Sequence, residues 1–242
     1  MIVALLLGRK KSQGFPGKNL YNVMGHPLCY YAMKAANDCP EINKAYISTD
    51  DERLMELARK NRFEVIVRPQ ELCTNEALVE DVLIHAYKEV QELNKGKEIE
   101  LIALLMCNAP TITGKLLSKG IKILHRNTEY DSAVTVSKYN MWSPLRARKI
   151  GKDGLLHPFV PFEFIGDPKK LNCDRDSQGD VWFADMGASI IRPRCLKNIK
   201  EGLLPQKWMG QKIYPLKQTG GLDVDYEWQL PQIEFWLKEY GD

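Results

Sequence analysis

Clustered metal ligands are missing from this chain. Its six cysteines, Cys29, Cys39, Cys73, Cys107, Cys173 and Cys195, are scattered with no C-x-x-C pair, and its four histidines, His26, His85, His125 and His157, stand apart from one another. That spacing argues against a zinc site and against a disulfide-stapled secreted scaffold, and it leads to the expectation of a cytoplasmic protein. An excess of one charge is missing too. The 34 basic and 31 acidic residues leave a net +3, too even a balance to hold nucleic acid by bulk electrostatics. A basic site must therefore be local. Long apolar runs are also absent: Ile2–Leu7 and Leu101–Cys107 fall far short of the ~20 residues a membrane-spanning helix needs. In the first run the positive charges Arg9, Lys10 and Lys11 come after the apolar stretch, the reverse of a signal peptide. No nucleic-acid or membrane partner is expected.

The chain does contain short apolar runs alternating with longer amphipathic stretches, the pattern of βα units around a parallel sheet. Ile2–Leu7 reads as a central strand covered on both faces. Further strands are expected at Lys44–Ser48, Phe63–Val67, Leu101–Met106 and Ser132–Val136, near Ala188–Arg192, and at Lys212–Leu216. Between them the spacing predicts helices over Pro27–Asp38, over a stretch carrying Leu54, Leu57 and Ala58, and from Thr113 or Gly114 onward. The clearest carries Val79, Val82, Leu83, Ala86, Tyr87, Val90 and Leu93 on one face, and the last runs from about Tyr226 to Tyr240. From about Tyr139 to Asp180 the composition shifts to Pro, Gly and aromatics, with a hairpin-like turn at Gly151-Lys-Asp-Gly154. The 242 residues suffice for one α/β domain, residues 1–242, with a mostly parallel central sheet flanked by helices and an arm inserted at about 139–180.

Two segments carry chemistry. Gly8-Arg-Lys-Lys-Ser-Gln-Gly-Phe-Pro-Gly-Lys-Asn19 follows the first strand directly and packs four basic residues, three glycines and a proline into twelve positions. Glycines admit a ligand to backbone N–H groups, basic side chains neutralise phosphate, and the carboxyl end of a central parallel strand is where α/β sheets bind ligands. A solvated basic turn is the competing reading. A Walker A loop is excluded, because Gly17-Lys18 is followed by Asn19 and Ser12 stands where the motif needs Gly; G-x-G-x-x-G does not fit either. Near the other end, Gly220-Gly-Leu-Asp-Val-Asp225 puts two carboxylates at i and i+2, on one side of an extended segment. Hard carboxylate oxygens that leave room for phosphates suit magnesium; two surface aspartates in a turn are the alternative.

Strand followed by G-R-x-x-S-x-G-x-P-G-K-N resembles the opening of the acylneuraminate cytidylyltransferase family, the CMP-sialic acid synthetases, with the CMP-Kdo synthetases more distant. The resemblance extends through Ser48-Thr-Asp-Asp51, Arg68-Pro69, a fourth strand ending in a Pro loop, and Asp223-x-Asp225. It implies a Rossmann-like nucleotidyltransferase fold and a dimerisation arm. It also implies triphosphate contacts from Arg9 and Lys18, nucleotide contacts from Gly8, Ser12, Gly14, Asn19 and Arg68, and magnesium on Asp223 and Asp225. Asn108 has the donor and acceptor to meet a base or sugar. Arg175 falls in the neighbourhood of the family's acid-sugar contacts, and its planar fork suits a carboxylate; a structural ion pair is the other reading. The chain departs from the family pattern at Gln13 (usually Lys), at Met106 (a Gln that reads the cytosine edge), at Ile112 (Arg) and at Met186 (Asn).

The expected activity is cytidylyl transfer from CTP to an acidic 2-keto-3-deoxy sugar, Mg²⁺-dependent, in a homodimer. Two rivals remain: the same reaction with another base or a sugar lacking a carboxylate, and a nucleotide-binding regulatory protein without turnover.

Overall fold

A computed structural model describes residues 1–174 and 179–241. In chain order the strands are β1 (Ile2–Leu7), β2 (Asn22–Val23), β3 (His26–Pro27), β4 (Lys44–Thr49), β5 (Glu64–Val67), β6 (Leu101–Met106), β7 (Ser132–Lys138), β8 (Arg148–Ile150), β9 (Leu156–Pro158), β10 (Trp182–Ile191) and β11 (Ile213–Gln218). The α-helices are α1 (Leu28–Asn37), α2 (Glu52–Lys60), α3 (Val79–Leu93), α4 (Gly114–Arg126), α5 (Pro193–Lys197) and α6 (Leu230–Tyr240).

Seven strands form one sheet in the order β11-β7-β10-β6-β1-β4-β5. β1 pairs in parallel with β4 and β6, β4 with β5, and β7 with β11; β10 alone runs antiparallel, between β6 and β7. The carboxyl ends of six strands and the start of β10 therefore share one edge of the sheet, which places the loops after β1 and β6 side by side.

The centre is built as the apolar runs imply. All six residues of β1 are buried. Ile2, Ala4 and Leu6 pack on one face with Ala32, Met33 and Ala36 of α1 and Leu117, Ile121 and Leu124 of α4. Val3, Leu5 and Leu7 pack on the other with Val82, Leu83, Ala86, Tyr87 and Val90 of α3. A third cluster matters most for the site: Leu222 and Val224 pack with Val23, Leu28, Leu230 and Ile233, beside α1 and α6. Burying the residues that alternate with Asp223 and Asp225 fixes which way the 220–225 segment presents its carboxylates.

Local signals set the helix starts. Asp51 caps α2 by accepting from the Arg53 N–H at 2.9 Å, and Thr113 caps α4 by accepting from the Leu116 N–H at 3.3 Å. Val79 and Leu93, at the ends of the apolar stripe of α3, are left exposed. The last helix begins as a 3₁₀ turn at Glu227–Gln229 before α6. β10 starts six residues before the expected Ala188, because a register shift between Ala184 and Ser189 interrupts its pairing with β7, hiding the strand's period from the sequence. Residues 139–174 carry a 3₁₀ turn at Asn140–Trp142, the β8–β9 hairpin and a further turn at Phe162–Phe164. Ile150, Leu156, Phe159 and Phe164 are exposed there. Among the described residues no helix is long and apolar enough to cross a membrane.

Candidate active site

A cavity of about 520 Å³ opens at the carboxyl edge of the sheet. The loop after β1 lines it with Gly8, Arg9, Ser12, Gly14, Lys18 and Asn19, the end of β5 with Arg68, the end of β6 with Asn108, and the C-terminal segment with Asp225. Two segments more than 200 residues apart in sequence thus share one cavity.

Glycine makes that approach feasible. A β-carbon on Gly14 would sit 2.6 Å from the Asp225 carbonyl oxygen and 3.2 Å from the Tyr226 ring, so only a bare backbone lets the loop lie against the 225–226 turn. Gly17 adopts φ 75°, the left-handed conformation that turns the loop into the 3₁₀ turn Lys18–Leu20. That turn buries Lys18 and Asn19. The Lys18 ammonium donates to the Val224 carbonyl and to Asp225 Oδ1 at 2.6 Å, joining the loop to the aspartate pair. Asn19 Nδ2 donates to the Arg9 carbonyl at 3.2 Å, closing the loop on itself.

The aspartates differ. Asp225 is exposed, whereas Asp223 is half-buried and accepts from Asn108 Nδ2 at 3.3 Å. Burial raises the Asp223 carboxyl above its ordinary value; the neighbouring Asp225 charge adds to this, and Lys18 and Asn108 oppose it. Asp223 does not line the cavity itself. Asn108 holds its segment in place: the Asn108 carbonyl accepts from the Val224 N–H at 2.8 Å, and Nδ2 also donates to the Val224 carbonyl at 3.1 Å. The donor expected to meet a base or sugar is thus already engaged.

Arg68 is a buried cation, 7% exposed, on the cavity wall. Its guanidinium donates to Ser48 Oγ at 3.3 Å and to the Ser48 carbonyl at 2.8 Å, and among the described residues no carboxylate forms an ion pair with it. Burial lowers its pKa, the cost of a desolvated charge that an anion in the cavity would offset. Arg9 sits nearer the mouth and donates to the Thr74 carbonyl and Asn75 Oδ1, both at 3.2 Å.

Some contributors have no sequence signal of this kind. Thr74 and Asn75 come from an irregular loop. Thr111 Oγ1 donates to the Leu222 carbonyl at 3.1 Å and accepts from the Leu222 N–H at 3.0 Å, mooring the aspartate segment to the loop after β6. Beneath it, buried Asp185 accepts from Ser137 Oγ at 2.6 Å and Gln218 Nε2 at 2.9 Å, and Ser137 Oγ accepts from the Gly221 N–H at 2.9 Å. The positions departing from the family pattern divide by location. Met106 and Gln13 line the cavity, while Ile112 is buried in the core. Met186 holds φ 59° inside the β10 irregularity, a conformation more natural to Asn. Arg175 lies outside the described residues.

Could the aspartates hold a divalent cation? Two hard carboxylates, one made less stable as an anion by burial and by the other's charge, gain from a nearby positive charge. Among the described residues no three His, Cys, Asp or Glu side chains converge as a metal site. Two carboxylates leave most of a divalent cation's shell to other oxygen ligands, and a hard cation that keeps water and phosphate in its shell is the kind such a pair could hold.

Comparison with known proteins gives consistent results. A family model described as cytidylyltransferase matches residues 3–150. N-acylneuraminate cytidylyltransferase A of Danio rerio is 24% identical over 245 residues, covering 99% of this chain and 51% of that protein. The N-acylneuraminate cytidylyltransferase of Escherichia coli O18:K1:H7 is 26% identical over 139 residues, covering 57% of this chain and 32% of that protein. The chain spans about half the length, or less, of these curated relatives. CMP:2-keto-3-deoxy-manno-octonic acid synthetase, solved in complex with CTP, superposes with a TM-score of 0.67 at 14% identity, covering 98% of both chains. The 4-diphosphocytidyl-2C-methyl-D-erythritol synthase of Anaerococcus prevotii superposes with a TM-score of 0.62 at 12% identity, covering 98% of this chain and 96% of that one. At those identities the superpositions show a shared α/β fold.

Proposed function

The chain belongs to the cytidylyltransferase family, and on that premise we propose that it transfers the cytidylyl group of CTP to a hydroxyl of an acidic 2-keto-3-deoxy sugar, giving a CMP-sugar and pyrophosphate. The observation carrying this reading is the shared cavity in which Lys18 reaches Asp225 at 2.6 Å with Arg9 and Arg68 on the walls. It supplies three cations for a polyphosphate and, in Asp225, a carboxylate for a counter-cation, with Asp223 two residues away on the same segment.

In the proposed reaction the sugar oxygen attacks the α-phosphorus in line, a new P–O bond forms, the bond to the β-phosphate bridge breaks, and the hydroxyl proton is released. Such transfers need positioning and charge neutralisation more than covalent help from the protein. Lys18 and Arg9 neutralise charge gathering on the phosphates, and Gly8, Ser12, Gly14 and Asn19 shape the loop around them. Arg68 anchors the nucleotide, and Asn108 fixes the aspartate segment. Asp223 and Asp225 would hold magnesium, which when bound supplies positive charge to the phosphate oxygens. The acceptor's carboxylate is assigned to Arg175. The whole chain acts as one domain in the cytoplasm, and the aromatic arm pairs two copies into a dimer.

Met106 favours one alternative. With a thioether lining the cavity where the family's amide would read cytosine, a different base or a binding protein without turnover is the second reading. Pyrophosphate release measured with each of the four nucleoside triphosphates, Mg²⁺ and a panel of acid and neutral sugars separates them. Release with CTP and a 2-keto-3-deoxy acid is the expected result; binding without release in every combination would establish the second reading.

A further inference from the structure

The Lys18–Asp225 pair has a consequence beyond holding the loop. Lys18 Nζ lies 2.6 Å from Asp225 Oδ1, with the lysine side chain 11% exposed and the aspartate 57%. The ammonium is thus the buried partner, and it stands where a cation on the aspartate pair would compete with it. Its second hydrogen bond, to the Val224 carbonyl, keeps it on this segment. The lysine thus already holds one carboxylate oxygen of the pair and the carbonyl of the residue between the two aspartates.

We propose that Lys18 acts as a resident surrogate cation, so that a divalent ion binds the aspartate pair strongly only after a polyphosphate has drawn the lysine away. This rests on the reading of Asp223 and Asp225 as the metal-holding pair. A polyphosphate entering the cavity meets Arg9 and Arg68 from the walls and offers Lys18 more negative charge than one carboxylate does. As the ammonium turns to phosphate, Asp225 is released and the pair regains the negative charge that attracts a divalent ion. Nucleotide and metal then favour each other's binding by the same factor, as linkage requires. The device keeps the aspartates from collecting free cations in an empty site and couples charge neutralisation to substrate arrival.

The test is Mn²⁺ binding to the full chain without nucleotide, followed by loss of the free-ion electron paramagnetic resonance signal. Lys18→Met, which removes the charge at nearly constant length, is expected to bind Mn²⁺ about tenfold or more tightly than the unaltered protein. Lys18→Gln keeps a donor for the Val224 carbonyl, so it guards the fold and should tighten binding in the same way. Adding Asp225→Asn to either variant should abolish the gain. Equal or weaker Mn²⁺ binding by folded Lys18→Met and Lys18→Gln would overturn the surrogate-cation proposal while leaving the metal site standing, provided Asp225→Asn alone weakens Mn²⁺ binding in the presence of CTP. No specific Mn²⁺ binding by any form, with or without CTP, would overturn both the proposal and the metal assignment.

Discussion

Lys18 concentrates the chemistry of the site at the scale of a single residue. It is buried, lines the cavity and joins the loop to the aspartate segment through its ammonium. Lys18→Ala is expected to lower turnover by about 10² or more, the magnitude typical of losing one preorganised charge contact, measured as pyrophosphate release. Asp225→Asn should raise the Mg²⁺ concentration needed for half-maximal rate. Near-normal behaviour in both variants would remove these residues from the site. The paired spacing of the aspartates and the dense glycine–cation loop were legible in the sequence because their chemistry depends on local pattern. The use of Asn108 was not: its amide donor is turned toward Asp223 and Val224, a contact made across more than a hundred residues that no local spacing reveals.

At the scale of elements, the loops are held by a few side chains that tie helices and strands together. Thr111 exchanges two hydrogen bonds with Leu222. Thr111→Val keeps its shape but leaves two buried backbone groups unpaired, and should cost about 1–3 kcal/mol in denaturant unfolding. The altered seat of the aspartate segment should also raise the Mg²⁺ requirement. Glu41, in the turn between α1 and β4, makes a comparable tie to α4. It accepts from Ser118 Oγ at 2.7 Å and pairs with Lys122 at 3.1 Å. Those contacts, the Ser118 hydrogen bond foremost, hold its carboxyl down to about 2 from the ordinary 4.5. A depressed carboxylate stabilises the fold above its unfolded pKa and loses that contribution as pH falls through the folded one. Glu41→Gln should therefore be less stable than the unaltered protein by about 1–2 kcal/mol at pH 7, with the gap closing between pH 4.5 and about 2 in thermal melts. Strand and helix order were largely legible here, since apolar runs and 3.6-residue periods report burial directly. The reversal of β10 was not, because chain direction within a sheet leaves no mark on the period of a strand and the irregularity at 184–189 blurs even that.

For the whole molecule, the central sheet was legible and the assembly was not. Uninterrupted apolar runs such as Ile2–Leu7 can be buried on both faces only inside a helix-covered parallel sheet, which is where β1 lies. The arm's composition announces an excursion but does not say what covers its exposed Phe159 and Phe164. If a second copy covers them, light scattering at micromolar concentration gives twice the mass of one chain, and replacing both phenylalanines with serine reduces it to one. A monomeric unaltered protein would contradict the dimer.

The central claim is that the cationic loop and the aspartate pair clasp one nucleotide triphosphate between them. A crystal structure with CTP and Mg²⁺ tests it most directly. The account predicts the triphosphate within hydrogen-bonding reach of Arg9 and Lys18, with density for a cation between it and Asp223 and Asp225; CTP bound elsewhere, with this cavity empty, would contradict it.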